Sequence, residues 1–467
     1  MNKKNIVFFF TDDQRFDTIH ALGNSQIQTP NLDKLIKNGT VFTQAHIPGG
    51  TCGAVCMPSR AMLHSGRTLF RIEHEGQNIP PEHITIGEHF RKSGYNTYAI
   101  GKWHNGKNAF ARSFSDGDEI FFGGMADHWN VPAYRFDPKG KYDKKCPFIS
   151  NPFAGNKVKF RNCDHIESGK HSTDLFTDTA INFLNNYSSD SEPFFLYISL
   201  MAPHDPRTMP EKFRKMYKPD DIKLPENFLP EHPIDTGALQ IRDERLATFP
   251  RNPDEIKHHI AEYYAMISHL DYGLGQVIDT LKQNELYENT IIVFAGDNGL
   301  AVGQHGLMGK QNLYDHSIRV PLIFSGPNIP VSLRNNALVY LSDIFPTLCS
   351  ITKTEIPQSV EGKDLSICFN NPNAVPHDYL YLAYGSSIRG ITDSCYKLIE
   401  YASGETQLFN LSADPYEMNN IADKNSYRQI LQKMRTHLTT EAQDNGDLLH
   451  PVGVKFWNTR TDIKDLL

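Results

Sequence analysis

Ile6-Val7-Phe8-Phe9-Phe10-Thr11-Asp12-Asp13-Gln14 is the stretch whose reading sets the fold. Five apolar residues stand in a row without alternation, each β-branched or aromatic. Such a run predicts a strand buried on both faces, as in a parallel sheet covered by helices on each side. It ends abruptly in polar Thr11-Asp12-Asp13.

The pattern repeats downstream. Asn96 to Ile100 reads as a strand and ends in Gly101-Lys102-Trp103-His104. Phe194 to Leu200 is wholly apolar and ends in Ala202-Pro203-His204. Thr290 to Ala295 ends in Gly296-Asp297-Asn298-Gly299, and Val320 to Ser325 is one more strand. Helical stretches intervene: Leu32, Leu35 and Ile36 on one face before Gly39, then Ile86–Lys92, Thr173–Tyr187, Glu262–Asn284 and Ser342–Ile351. Strands alternating with helices predict an α/β fold with a mostly parallel, doubly wound sheet.

The last part differs. Tyr379–Ala383, Tyr396–Tyr401 and Gln407–Asn410 read as short strands with turns between, and Ser426–Glu441 as a helix. This divides the chain into an α/β domain over 1–375 and a smaller C-terminal α+β subdomain with a short antiparallel sheet over 376–467. Residues 105–170 are rich in aromatics, Gly and Pro without a period, and read as a long insertion over the site. Residues 205–255 are Pro-rich and charged, and read as a surface excursion.

Composition excludes little. The 467 residues are 39% hydrophobic and 22% charged, those of an ordinary globular protein. A net charge of −7 gives no support to a nucleic-acid partner, though local cations can still gather an anionic substrate. The seven cysteines are Cys52, Cys56, Cys146, Cys163, Cys349, Cys368 and Cys395. They are dispersed and odd in number, against a disulfide framework, with Cys146–Cys163 left open as a pair. No stretch approaches the roughly 18 apolar residues of a membrane span, so no membrane partner is expected. No signal peptide is visible, which reads as cytoplasmic for the chain as given, or as periplasmic or secreted if a signal was trimmed.

In parallel α/β sheets ligands bind beyond the carboxyl ends of the strands. Asp12-Asp13, Lys102 with His104, His204, and Asp297-Asn298 all fall there. Each alone has a plainer use: Asp-Asp as a helix cap, His204 as a structural histidine, Asp-Asn-Gly as a turn. The repeated position is what favours a site. Asp12, Asp13, Asp297 and Asn298 offer hard oxygen ligands, which suit Ca²⁺ or Mg²⁺ over zinc.

A second stretch adds a nucleophile. Cys56-Met57-Pro58-Ser59-Arg60-Ala61-Met62-Leu63-His64-Ser65-Gly66-Arg67 reads as a helix with Pro58 in its first turn and Gly66 at its stop. Cys56 and Arg60 then sit at the positive end of its dipole, where an anion is favoured. The alternative is a buried, inert cysteine.

Cys56-x-Pro58-Ser59-Arg60, with Ser65-Gly66-Arg67, resembles the signature of formylglycine-dependent sulfatases of the alkaline-phosphatase-like superfamily. The resemblance runs from about Asn5 to Asn420. It includes Asp12-Asp13, Gly101-Lys102-Trp103-His104, Pro203-His204, Asp297-Asn298-Gly299, Gly309-Lys310, Tyr314 and Arg319-Val320-Pro321. Tyr396-Lys397-Leu398 and Asp414-Pro415-Tyr416-Glu417 resemble the C-terminal subdomain of the family. Asp315 stands where many relatives have Glu, and Asn105 where Leu is common.

The resemblance implies a large mixed sheet sandwiched by helices and a sulfatase acting on sulfate monoesters, on the pattern of a bacterial carbohydrate sulfatase. It implies oxidation of Cys56 to formylglycine by a maturase, and Ca²⁺ in preference to Mg²⁺, held by Asp12, Asp13, residue 56, Asp297 and Asn298. Arg60, Lys102 and Lys310 would hold sulfate oxygens. Asp297 would take the proton of the nucleophile, His204 would protonate the leaving alcohol, and His104 would act when sulfate is expelled. A formylglycine-dependent phosphonate or phosphate-ester hydrolase and a silent glycan-binding protein are the rival readings. The expected substrate is a sulfated saccharide, of the glycosaminoglycan type or another glycan. His128, Trp129, Tyr134 and Arg135 of the insertion are candidates to hold the sugar. Lys107, Arg112 and Arg161 are candidates to meet a second anion.

Overall fold

The computed structural model describes residues 3–188 and 192–464. Among these, eight strands form the main sheet: β1 (Asn5–Thr11), β2 (Gly39–His46), β4 (Asn96–Trp103), β5 (Asp116–Phe122), β8 (Phe194–Ser199), β9 (Thr290–Gly296), β10 (Leu322–Ser325) and β11 (Leu333–Tyr340). Their order is β11-β2-β10-β9-β1-β8-β4-β5. Only β10 runs antiparallel to its neighbours. The strands that end in the polar clusters, β9, β1, β8 and β4, are adjacent.

The unbroken apolar run of β1 is used on both sides, and all seven of its residues are buried. Ile6, Phe8 and Phe10 enter one core, while Val7 and Phe9 enter the other. The second core lies under the Pro253–Gln283 helix, which buries Ile256, Ile260, Tyr263, Ile267, Leu270 and Leu274. That helix begins nine residues earlier than the apolar pattern indicates. Pro253 takes its first position, and the Asn252 side chain accepts from the amides of Asp254 and Glu255.

The first core is shared with the C-terminal sheet, in the order β15 (Thr406–Asn410), β14 (Tyr396–Tyr401), β13 (Ile388–Thr392), β12 (Leu380–Tyr384), β3 (Gly49–Gly50). Four strands form an antiparallel meander and the short β3 pairs parallel to β12. The loop before Cys56 is thereby fastened to the second sheet.

The insertion over 105–170 is more ordered than expected. It contains the Lys107–Ser113 helix and the edge strand β5. Asp116, Asp118 and Glu119 break the apolar pattern there, as an edge strand tolerates. A separate two-stranded ribbon, β6 (Lys145–Phe148) and β7 (Lys159–Asn162), follows. Strand β11 was hidden by its polar Arg334-Asn335-Asn336 and by a register shift between Asn335 and Leu338. The stretch 205–255 is fastened by buried Phe213, Tyr217, Ile222 and Arg251 rather than lying loose on the surface. The cysteines are all free thiols, Cys146 and Cys163 included. Among the described residues, no helix is long and apolar enough to cross a membrane.

Candidate active site

The polar clusters meet above the carboxyl edge of β9, β1, β8 and β4. Asp12 and Asp13 follow β1 directly. Asp13 has φ of 65°, a left-handed conformation that Asp tolerates better than most residues. Its amide donates to Asp297 Oδ1 at 3.0 Å. Asn298 Nδ2 donates to Asp13 Oδ1 at 2.6 Å. Lys310 Nζ reaches the same oxygen at 2.5 Å.

Lys102 comes from the end of β4. Its ammonium pairs with Asp12 Oδ2, donates to the Gly124 carbonyl at 2.5 Å and lies 3.8 Å from Cys56 Sγ. The approach of β4 to β8 depends on Gly101, at φ of 87°, where a Cβ would lie 2.0 Å from the Ser199 carbonyl oxygen.

Cys56 opens the Cys56–Ser65 helix, every residue of which is buried. Gly66 closes it in the left-handed conformation at φ of 66°. His104 Nδ1 is 3.5 Å from Cys56 Sγ. Ser59 Oγ donates to the Asp297 carbonyl at 2.5 Å. His204 Nδ1 donates to the Asp205 carbonyl at 2.7 Å, which turns Nε2 toward Asp13 Oδ2, 3.6 Å away.

Arg60 lies deeper than expected. Its Nε donates to Asp297 Oδ2 at 2.8 Å and its Nη1 to Ser199 Oγ at 2.7 Å, with the guanidinium over the Phe10 ring. It is fully buried beneath the carboxylates and does not line the opening.

The opening is a cavity of about 450 Å³. Its walls include Cys56, His104, His204, Lys310, Gly124, Met125, Ile241, Arg242, Asp243, Gln311 and Tyr384. Arg242 pairs with both oxygens of Asp205, the residue after His204. Glu244 accepts from the amides of Met308 and Gly309 at 2.8 and 2.9 Å and thereby fixes the loop that presents Lys310. These contributions from 241–244, and Tyr384 from the end of β12, had no sequence signal beyond charge in a stretch without periodicity.

The proposed sugar-holding residues are used elsewhere. His128 is fully buried between Ser172 Oγ, 2.6 Å away, and the His204 carbonyl, 2.9 Å away. Lys107 Nζ donates to the Tyr142 carbonyl at 2.8 Å. Trp129 packs its edge on His171, and Arg112 pairs with Glu88. Tyr134 is buried in the core. Arg161 stacks on Phe148 of the β6–β7 ribbon, and Arg135 is exposed. None of these lines the cavity. Apolar and charged residues of an aperiodic insertion cannot be oriented from sequence alone.

The electrostatics follow from burial. Burial pushes the Cys56 thiol up, opposed by Lys102 and Lys310. Burial, then Lys102, Arg60 and Lys310, hold His104 down to about 2, so its imidazole is neutral. Burial and the adjacent Asp12 raise Asp297 against the pull of Arg60, Lys102 and Lys310. Burial alone would raise Asp12, but Lys102, His204 and Arg60 outweigh it and its carboxyl is held low.

The donor set fits a hard divalent cation. Asp12 Oδ1 and Asn298 Oδ1 are buried acceptors without a hydrogen-bond partner. One ligand atom each from Asp12, Cys56 and Asp297 lie within 4.8 Å of one another. Orphaned buried oxygens call for a partner, and oxygen-rich clusters of this kind hold Ca²⁺ or Mg²⁺.

A helix-opening cysteine among carboxylates and lysines, at the ligand-binding edge of an α/β sheet, defines an α/β protein built for an anion. The sulfatase family profile matches residues 4–354, and the chain belongs to the sulfatase family. It is a sulfuric ester hydrolase. A profile described as N-sulphoglucosamine sulphohydrolase, C-terminal, matches residues 303–444. An ulvan-active sulfatase of Formosa agariphila is 28% identical over 95% of this chain and 82% of its own. An N-acetylglucosamine-6-O-sulfatase of Bacteroides thetaiotaomicron is 25% identical over 94% of this chain and 86% of its own. A solved structure of a protein in complex with its substrate D-glucosamine-2-N,6-O-disulfate shares the fold, with a TM-score of 0.76, 22% identity, and coverage of 96% of this chain and 99% of that one.

Proposed function

We propose that the chain removes O-sulfate groups from a sulfated carbohydrate of the glycosaminoglycan type, using a formylglycine made from Cys56 by a maturase. One observation carries this: Cys56 Sγ lines the cavity 3.5 Å from His104 Nδ1 and 3.8 Å from Lys102 Nζ, beside the Asp12 and Asp297 carboxylates. The carbohydrate class is supported by what the relatives above are named for acting on.

Asp12, Asp13, Asp297, Asn298 and residue 56 would hold Ca²⁺, which supplies positive charge against the sulfate oxygens. A formylglycine at 56 would supply, as its hydrate, a nucleophilic hydroxyl and a second hydroxyl whose proton can be removed. Lys102 and Lys310 hold the nonbridging oxygens and stabilise charge developing there. Arg60 keeps the Asp297 carboxylate aimed, and Asp297 takes the first proton.

His204 donates a proton to the leaving oxygen from Nε2, because Nδ1 is engaged by the Asp205 carbonyl. His104 acts at Nδ1, the nitrogen nearest residue 56. Burial, then Lys102, Arg60 and Lys310, hold its ring neutral and weakly basic, and a bound sulfate would offset the part due to the cations.

The test is sulfate release from defined sulfated saccharides by protein co-expressed with a maturase, with a phosphonate monoester assayed alongside. Turnover of a sugar sulfate far above that of the phosphonate is expected. Faster phosphonate cleavage would favour the phosphonate-hydrolase reading. Matured protein that binds saccharides and turns none over would make it a silent binder.

A further inference from the structure

Residues 139–161 carry seven cations, Lys139, Lys141, Lys144, Lys145, Lys157, Lys159 and Arg161, against one acid, Asp143, in a chain of net charge −7. Most of them flank the β6–β7 ribbon, which is paired to neither larger sheet. Among the described residues, Lys145, Lys157 and Lys159 stand in no ion pair; Lys144 reaches Asp164 at 3.5 Å. Cross-strand partners share a face. The pairs Lys145–Asn162 and Pro147–Phe160 therefore form one face, whose four residues are all exposed, while exposed Lys159 and half-buried Arg161 stand on the opposite face, so the ribbon carries charge on both sides.

Two aromatics stand in solvent there: Phe153 is 100% exposed and Phe160 is 66% exposed. A two-stranded ribbon with four-residue strands is marginal by itself, and two aromatics this exposed on one short basic ribbon favour a surface that something covers. The ribbon is joined to the cavity wall through one continuous segment. Asp164 donates its amide to the Ala133 carbonyl at 2.9 Å, Tyr134 bridges Ile120 of β5, and β5 leads to Gly124 and Met125 of the cavity.

We propose that this basic, aromatic ribbon is an arm that binds the sulfated polysaccharide chain away from the bond being cut. The inference rests on the carbohydrate-sulfate reading above. Ammonium groups spaced along an extended ribbon match the repeating anions of a linear sulfated polymer, and exposed rings offer faces for sugar C–H surfaces. The arm retains the polymer, raising the local concentration of ester groups at the cavity.

The test uses two variants of the full chain, Lys145→Gln/Lys157→Gln/Lys159→Gln and Phe153→Ala/Phe160→Ala. Heparin binding is measured in the Cys56→Ala background, so that it needs no turnover, with dextran as the uncharged control. Both variants should bind heparin at least about fivefold more weakly, with unchanged melting temperature. In the charge variant the slope of log affinity against log salt should fall by about two to three, near one counterion per lost cation. With Cys56 intact and matured, hydrolysis of 4-nitrophenyl sulfate should be unchanged.

Unaltered heparin affinity would overturn the proposal. So would an equal loss on 4-nitrophenyl sulfate, or ribbon-dependent binding to phosphatidylserine vesicles with heparin binding intact. If matured protein releases no sulfate from any saccharide, the functional reading fails while the heparin measurement still decides the arm.

Discussion

Arg60 Nε and Asp297 Oδ2 form a 2.8 Å ion pair with neither side chain exposed beyond 1%. A buried pair broken from one side leaves an uncompensated charge, typically costing about 3–5 kcal/mol. Arg60→Ala should therefore lose stability of that order and lose activity together. Arg60→Lys keeps the charge but loses the fork that reaches both Asp297 and Ser199, so it should regain part of the stability and little activity. Urea unfolding of both variants checks this, and a loss under about 1 kcal/mol for Arg60→Ala would show that the pair is not the clamp described.

The orphaned oxygens of Asp12 and Asn298 give a second expectation. A cation that binds only the folded state stabilises by about 2.7 kcal/mol at a hundredfold excess over its dissociation constant. Chelation should lower the melting temperature and added Ca²⁺ should restore it. Asp297→Ala should abolish the response. Stoichiometric zinc in active protein, with neither calcium nor magnesium, would contradict the oxygen-ligand reading.

Cys56 should be a slow thiol before maturation. Burial raises it, and only the thiolate is reactive. At neutral pH iodoacetamide should label exposed Cys395 well ahead of Cys56, as peptide mass mapping would show. Equal rates would mean that Lys102 and Lys310 dominate over burial.

Much of this was legible because strand ends in a parallel sheet are functional positions by topology. The uninterrupted Ile6–Phe10 run identified a doubly buried strand, and the same polar punctuation after three others pointed to one edge. The depth of Arg60 was not legible, because spacing along a helix does not say whether a side chain faces the opening or the layer beneath. Glu244 was equally hidden: its two amide contacts join segments 64 and 65 residues apart, and nothing local marks them. The β6–β7 ribbon was lost among aperiodic aromatics, where a four-residue strand offers too few alternations to register.

Glu244 offers a test of that hidden part. Arg251 and two amides share its buried carboxylate. Glu244→Gln keeps the shape but removes the charge and one acceptor. It should lower kcat by releasing the Lys310 loop, with a smaller change in KM and continued Ca²⁺ stabilisation. Unchanged kcat would show that the loop holds Lys310 without it.

The last expectation separates the two histidines by the step each serves. His204 lines the cavity with its Nδ1 held by the Asp205 carbonyl, and its Nε2 would protonate the departing alcohol. Nitrophenolate needs little protonation to leave, so His204→Ala should damage sugar sulfates far more than 4-nitrophenyl sulfate. His104, 3.5 Å from Cys56 Sγ, would act after that bond has broken. Its loss should slow turnover to a similar degree whatever the leaving group, with a burst of about one alcohol per site before the slow phase. Stopped-flow release of nitrophenol and steady-state release of sulfate from a sugar measure both. Equal losses on both substrates for both variants, without a burst, would show that these roles are wrong even though the chain is a sulfatase.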